Sequence, residues 1–81
     1  MDVAEAFGRA VKARRAELGI TQEELADKGE LARSFVSGME RGEKAPTVNT
    51  VWKLTKALDC KPSELWLTVE RLMESQPKKR R

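Results

Sequence analysis

The side chains of this sequence that can do chemistry lie mostly between positions 21 and 42, in the segment TQEELADKGELARSFVSGMERG. Arg33 and Arg41 carry guanidinium groups, whose planar donor fork binds phosphate and other anionic acceptors. Ser34 and Ser37 carry hydroxyl groups that both donate and accept hydrogen bonds. This combination favours reversible recognition of a polar, negatively charged surface.

Covalent catalysis has little support in the sequence, which contains no histidine and no tyrosine. The single cysteine, Cys60, therefore has no histidine to activate it as a nucleophile. Neither a glycine-rich phosphate loop nor paired cysteines with metal-ligand spacing are present. We therefore predict a protein that is not an enzyme and that uses no cofactor and no metal. Cys60 stands between Leu58 and Pro62 and is predicted to be a small core residue.

Two short helices joined by a tight turn would hold the polar residues in place. Thr21 followed by Glu24 forms a capping box and starts a helix over about 22–28. Gly29 is expected to be the permissive residue of the turn. A second helix is predicted over about 32–40, before Gly42. This is the form of a helix-turn-helix, whose second helix can enter the major groove of DNA.

The second helix of this unit has an apolar stripe and an opposite polar face. Leu31, Phe35, Val36 and Met39 recur at helical spacing and are predicted to be buried. Gly38 falls on the polar side, although glycine inside a helix costs about 1 kcal/mol relative to alanine. Its presence indicates that something needs the space that a side chain would fill.

The complete sequence predicts an all-α fold of five helices without strands. The expected ranges are about 3–18, 22–28, 32–40, 48–58 and 62–74. Val3 and Phe7 are assigned to the inward face of the first helix, and Val48, Val51 and Leu54 to that of the fourth. Residues 1–75 are expected to form one domain, and residues 76–81 a disordered basic tail.

Charge is distributed unevenly along the chain. The formal net charge is +3, but the last four residues are all basic, so residues 1–77 sum to −1. Local patches, rather than the net charge, must therefore provide affinity for nucleic acid. The candidate patches are Arg9, Lys12, Arg14 and Arg15 on the first helix, and Arg33, Arg41 and Lys44 around the helix-turn-helix.

The fifth helix has more apolar surface than one small core needs. Trp66, Val69, Leu72 and Met73 are assigned to an interface with a second copy of the chain. The alternative is that all four side chains pack internally. The sequence contains no apolar run of about 18 residues, so no transmembrane helix is predicted. Residues 1–10 do not look like a signal peptide, and one cysteine suits a reducing compartment, so a cytoplasmic location is expected.

Three segments carry a resemblance to a known family: ITQEELA, MERGEKAPT and LTKALDCKPSELW. With them, the chain resembles the lambda-repressor-like helix-turn-helix regulators over about residues 7–67. That family includes phage repressors, restriction–modification controller proteins and several antitoxins, and it implies a prokaryotic, phage or plasmid origin. The size and the long fifth helix are most similar to those of the controller proteins and short repressors.

The resemblance implies roles for individual residues. Gln22 matches a residue that contacts phosphate and braces the recognition helix, and Arg15 and Glu40 match a pair that ties the first helix to the end of the third. The residues expected at the DNA are Thr21, Gln22, Ala32, Arg33, Ser34, Ser37, Gly38, Arg41 and Lys44. Of these, Arg33 is the candidate for bidentate pairing with guanine.

The chain departs from the family pattern at three places. Ala32 stands where a capping serine or threonine is usual, and a missing cap costs about 1 kcal/mol. Gly29 and Glu30 stand where alanine and then glycine are usual, which predicts a reshaped turn. Gly38 has no side chain where many relatives place a residue that reads a base, so part of the specificity would come from DNA shape.

The sequence thus predicts a transcriptional regulator that binds a specific sequence of double-stranded DNA. It would act as a homodimeric repressor or autoregulator on a near-palindromic operator, with its third helix in the major groove. One alternative is an antitoxin-type protein that also binds a toxin, and another is an architectural protein with little sequence preference. A polymerase partner would be needed by an activator, but no motif identifies a surface for it.

Overall fold

The computed structural model describes residues 1–75 and contains five α-helices and no strand within that range. The helices are α1 (Val3–Leu18), α2 (Gln22–Gly29), α3 (Arg33–Glu40), α4 (Val48–Ala57) and α5 (Pro62–Glu74). Both ends of each helix lie within two residues of the predicted bounds. Residues 76–81, predicted to be a disordered tail, lie outside the described part of the chain.

Local capping explains where most of the helices begin. Asp2 accepts a hydrogen bond from the Glu5 amide at the start of α1. Thr21 and Glu24 form the reciprocal capping box that the sequence predicts for α2. Thr47 caps α4 by accepting from the Thr50 amide. Side chains close to each boundary therefore fix these helix starts, which is why they could be predicted from the sequence.

The turn between α2 and α3 differs from the prediction. Gly29 is buried inside the last turn of α2, where an added Cβ would lie 3.2 Å from Leu31 Cδ1. The left-handed residue is Glu30, with φ of 55°. Position 29 is closely packed but not in the left-handed conformation, so the conformational cost of the turn falls on Glu30.

The core lies where α1 crosses α3 and α5, with α2 and α4 completing it. Phe7, Val11, Leu25, Val36, Met39, Leu54, Leu58, Leu65 and Val69 are among its buried members. Two predicted core residues lie outside it: Val3 is 50% exposed and Val48 is 87% exposed. Both are the first residue of their helix, and each lies on the open lining of a surface groove beside α5.

Gly8 sets the distance between α1 and α3. A Cβ built on it would lie only 2.3 Å from the Met39 carbonyl oxygen and 2.9 Å from that of Glu40. No side chain fits in this space, so the backbones of the two helices are in direct contact. This close crossing holds the C-terminal end of α3 firmly on the core.

Candidate nucleic-acid interface

Helix α3 presents its first turn to solvent and its other side to the core. Val36 and Met39 are both 0% exposed, whereas Arg33 and Ser34 lie on the exposed side of the first turn. Ala32 is the N-cap residue and makes no capping bond through its side chain. The amide groups of this turn therefore lack a side-chain cap, as the sequence predicts, and are left for water or a ligand.

A buried polar network fixes α3 relative to α1 and α2. Arg15 Nε and Nη2 donate to the two carboxylate oxygens of Glu40 at 2.8 and 3.0 Å. Gln22 Nε2 donates to Glu40 Oε1 at 3.0 Å, and Arg15 Nη1 donates to the Ile20 carbonyl at 3.0 Å. The side chains of Arg15 and Glu40 are only 16% and 3% exposed. The contact predicted between Arg15 and Glu40 is present, and Gln22 braces α3 through the same carboxylate.

Hydrogen bonding to Glu40 raises the pKa of Arg15 above its ordinary value. The guanidinium is therefore held in its charged form, and it is a permanent partner for the buried carboxylate. A buried charge of this kind is stable only while its partner is present. The pair of Arg15 and Glu40 thus belongs to the scaffold of the interface and not to the surface that a ligand would contact.

Arg41, at the end of α3, forms a second and exposed network. Its Nε and Nη2 atoms donate to the two carboxylate oxygens of Glu43, both at 3.0 Å. Its Nη1 atom donates to the hydroxyl of Ser37. The side chains of Arg41 and Glu43 are 57% and 59% exposed. The hydrogen bond from Arg41 lowers the pKa of Glu43 and so favours the ionised carboxylate.

Lys44 occupies the space that Gly38 leaves on α3. A Cβ on Gly38 would lie 3.2–3.3 Å from the Cγ, Cδ and Cε atoms of Lys44. Gly38 is buried, so its assignment as an exposed recognition position is wrong. The space serves the stem of Lys44, which crosses the helix here.

The structure brings together most of the residues that the sequence assigns to DNA contact. Thr21 and Gln22 open α2, while Ala32, Arg33, Ser34 and Ser37 lie on α3, followed by Arg41 and Lys44. The candidate basic patch on α1 is dispersed, however. Arg14 donates to the carbonyls of Leu58 and Asp59 at 2.9 Å each. Within residues 1–75, Arg33 and Lys44 form no ion pair.

Sequence reasoning missed two residues beside this surface, Gly8 and Glu43. Gly8 had a signal: it is a glycine inside a long helix, where it costs about 1 kcal/mol and therefore indicates a close approach. Glu43 had none that a periodic pattern could show, since it pairs with Arg41 across a turn that leaves the helix.

A second candidate surface is apolar and lies between α4 and α5. The α4–α5 groove is lined by Pro46, Val48, Asn49, Val51, Trp52, Pro62 and Trp66. Trp52 and Trp66 are 56% and 45% exposed. Of the residues predicted to form a dimer interface, Trp66 lines both this groove and the apolar face between α1 and α5, and Met73 lines only that other face. Leu72 and Met73 are partly buried against the core. Val69 is 1% exposed, which removes it from any such interface.

Cys60 is partly buried and packs against the core, in agreement with the prediction. Burial raises the pKa of its thiol, which keeps the thiol protonated at neutral pH. The described residues hold no group of three histidine, cysteine or acidic side chains that could bind a metal ion. None of the five helices is long and apolar enough to cross a membrane.

Comparison with known proteins identifies the class to which this arrangement belongs. The helix-turn-helix family model matches residues 11–65, which include all of α2, α3 and α4. The chain belongs to the helix-turn-helix family. An HTH-type transcriptional regulator of Sinorhizobium fredii, y4dJ, is 35% identical over 65 residues, 80% of this chain and 84% of that relative. The control protein C.BamHI of Bacillus amyloliquefaciens is 33% identical over 60 residues, 73% of this chain and 74% of that protein.

Solved structures of this helix-turn-helix family agree with the fold. The restriction–modification controller protein C.AhdI from Aeromonas hydrophila is similar with a TM-score of 0.75 and 39% identity, over 76% of this chain and 94% of that one. The controller protein C.Esp1396I is similar with a TM-score of 0.86 and 25% identity, over 93% of this chain and 99% of that one. The predicted lambda-repressor-like fold and resemblance to controller proteins are confirmed.

Membership of this helix-turn-helix family makes the protein a transcriptional regulator. Transcriptional regulators are DNA-binding proteins, and they are not a class of enzymes. The relatives named above are regulators and controller proteins, and they give no support to the antitoxin alternative.

Proposed function

We propose that this regulator binds a specific sequence of double-stranded DNA with α3 in the major groove. The observation that carries the proposal is the division of α3 into two faces. Val36 and Met39 anchor one face in the core, while Arg33 and Ser34 stand exposed at the first turn of the other. A recognition helix reads base edges with residues near its N-terminus, which is where these two side chains lie.

Arg33 is the residue best placed to read a base. It is exposed and free of ion pairs within residues 1–75, so its guanidinium can pair with O6 and N7 of guanine without breaking an internal contact. Thr21, Gln22 and Lys44 would bind phosphates on either side. Those contacts set position and affinity, whereas Arg33, Ser34 and Ser37 would choose the sequence.

Selection of bound duplexes from a random pool tests this proposal. The affinity for the selected sequence is then compared with that for a scrambled duplex of the same composition at about 150 mM salt. A preference of about 10³-fold or more is expected of a sequence-specific regulator. Equal and weak binding to both duplexes would contradict sequence-specific binding and would favour the architectural alternative.

We propose further that the regulator acts as a homodimer that meets its second copy at the α4–α5 groove. Val48, Trp52 and Trp66 expose more apolar surface there than a small monomer needs. The rim of the other apolar face, between α1 and α5, carries Glu70 and Glu74 instead. A two-fold axis at the groove would place two copies of α3 about 34 Å apart on a near-palindromic site, as repressors and autoregulators require.

Two matched valines distinguish these faces. Val48 begins α4 at the groove and Val3 begins α1 at the other face, so aspartate is favourable for either helix. Val48→Asp should convert the dimer to a monomer at micromolar concentration in analytical ultracentrifugation, while Val3→Asp should leave it intact. The reverse result would move the interface to α1 and α5, and a monomeric parent protein would refute the dimer.

A further inference from the structure

Glu43 stands at the edge of the proposed DNA surface, where a negative charge is unexpected. Its carboxylate fills the side-on edge of the Arg41 guanidinium, formed by Nε and Nη2, with two bonds of 3.0 Å. The same edge is the one that clamps a phosphate with two parallel hydrogen bonds. Arg41 Nη1 is committed to Ser37, so three of its five donors are used inside the protein.

The backbone holds Glu43 in this position. After α3 ends, the amide of Gly42 donates to the Met39 carbonyl and that of Glu43 donates to the Gly38 carbonyl, both at 2.9 Å. Gly42 has a φ of 80°, and a Cβ there would lie 3.0 Å from Glu5 Cα. The turn is therefore fixed by its own hydrogen bonds and by packing on α1, and it presents the carboxylate of Glu43 directly to Arg41.

We propose that the carboxylate of Glu43 competes with DNA phosphate for the guanidinium of Arg41. This competition lowers the affinity of the protein for DNA of any sequence. The inference rests on the proposed DNA-binding function. A phosphate can engage the side-on edge of Arg41 only after the carboxylate has left it, and that carboxylate then repels the phosphate. Lys44 follows directly in sequence, so loss of Glu43 would also leave two neighbouring cations without a counter-charge.

Binding to a random duplex tests the competition, because sequence-independent affinity is essentially electrostatic. Glu43→Gln frees one guanidinium for one phosphate. Its affinity should rise about fivefold at 150 mM salt, and the dependence of log K on log salt should steepen by about 0.9. The matched control is Glu17→Gln, which makes the same change of charge at an ion pair with Arg14, 3.1 Å long, on the face of α1 beside Asp59 and Glu64. Equal gains in the two variants would mean that only net charge matters and would overturn the proposal.

A double-mutant cycle separates competition from simple repulsion. In the Arg41→Gln background, Glu43→Gln should lose most of its effect, because no guanidinium remains to be released. The same gain in both backgrounds would mean that Glu43 acts on DNA directly, and the role assigned to Arg41 would be wrong.

The free protein supplies a readout that does not depend on DNA. Exchange of the Arg41 Nε proton with water, followed by NMR, should be slow in the parent and faster in Glu43→Gln, while that of Arg14 stays the same. If the parent protein bound no duplex at all, the proposed function would fail even with Arg41 protected. If it bound duplex but Arg41 exchanged freely, only the inference about Glu43 would fail.

Discussion

Two arginine–glutamate pairs meet at the C-terminal end of α3, and they differ in almost everything except chemistry. Both are bidentate, and Glu40 and Arg41 are neighbours in sequence. The pair of Arg15 and Glu40 is buried, with side chains 16% and 3% exposed. The pair of Arg41 and Glu43 is exposed, with 57% and 59%.

The difference between the two pairs separates the scaffold, which holds α3 in place, from the working surface, by which we mean the exposed residues proposed to contact DNA. In the buried pair, removal of one partner leaves a charge without solvation, so the contact is fixed by energetics. In the exposed pair, water replaces either partner at little cost, so the contact can open for a ligand. Substitutions at the first pair should therefore change stability, and substitutions at the second should change binding.

The largest effect is expected at Glu40. Glu40→Ala leaves the part-buried guanidinium of Arg15 unpaired and removes the acceptor of Gln22, so the free energy of unfolding should fall by about 2–3 kcal/mol. Urea denaturation followed by circular dichroism measures it. Glu43→Ala is the matched control, and its midpoint should equal that of the parent. If both variants unfolded alike, the contrast between the pairs would be refuted.

Gly8 extends the contrast from side chains to backbone. Gly8→Ala places a Cβ 2.3 Å from the Met39 carbonyl oxygen, which forces α1 and α3 apart. Overpacking of this kind costs about 1–3 kcal/mol, which should outweigh the gain of about 1 kcal/mol in helix propensity. A lowered midpoint in thermal unfolding is expected, whereas an unchanged or raised one would mean that the helices separate easily.

Arg33 tests the working surface where no internal partner competes. Arg33→Ala should weaken binding to the selected duplex by about 1–3 kcal/mol and relax the preference at one base position. Its unfolding midpoint should not change. A fluorescence titration with the selected duplex measures the loss of affinity. Lys28→Ala, which removes the same charge from the last turn of α2, is the control. Equal losses in the two variants would assign Arg33 a purely electrostatic role.

Glu30 offers a smaller effect with a defined sign. It adopts a left-handed conformation with φ of 55°, so Glu30→Gly should raise the free energy of unfolding by about 0.5–1 kcal/mol. The same substitution at Glu23, inside α2, should lower it by about 1 kcal/mol. Chemical denaturation of both variants provides the check, and a loss at position 30 would show that the turn is not strained.

The limits of sequence reasoning are clear from particular residues. The helix starts at Thr21 and Thr47 were predictable because a cap and its partner lie within three positions of each other. The apolar spacing of α1 and α4 did not reveal that Val3 and Val48 lie outside the core, because periodicity gives the direction of a side chain and not how completely its neighbours cover it. Gly29 is predicted for the turn because glycine serves both tight turns and tight packing, and the sequence alone does not distinguish the two uses.

The site was predictable in part, for the same reason. The match to a family pattern brought together Arg15 and Glu40, which lie 25 positions apart, and no local rule would have done so. Glu43 was missed because its partner is two positions away in a turn, a spacing at which side chains do not meet on a helix. What escapes the sequence here is the path of the chain after α3 ends.

Gly38 gives an effect of similar size, and one substitution there should change both stability and binding. A Cβ at this position would meet only the flexible stem of Lys44, at 3.2–3.3 Å, in contrast to the rigid carbonyl beside Gly8. Gly38→Ala should therefore gain up to about 1 kcal/mol of stability from helix propensity. It should also displace the side chain of Lys44 from its position across α3. Because Lys44 is a proposed phosphate contact, binding to a random duplex should weaken slightly.

Thermal unfolding and a duplex titration of the same Gly38→Ala preparation measure both quantities, with Gly8→Ala beside it for stability. A rise in stability together with a small loss of affinity would mean that Gly38 serves the working surface at the expense of the scaffold. A fall in stability would mean that Lys44 is held as firmly as the carbonyls of α3, and the loop after α3 would then count as scaffold.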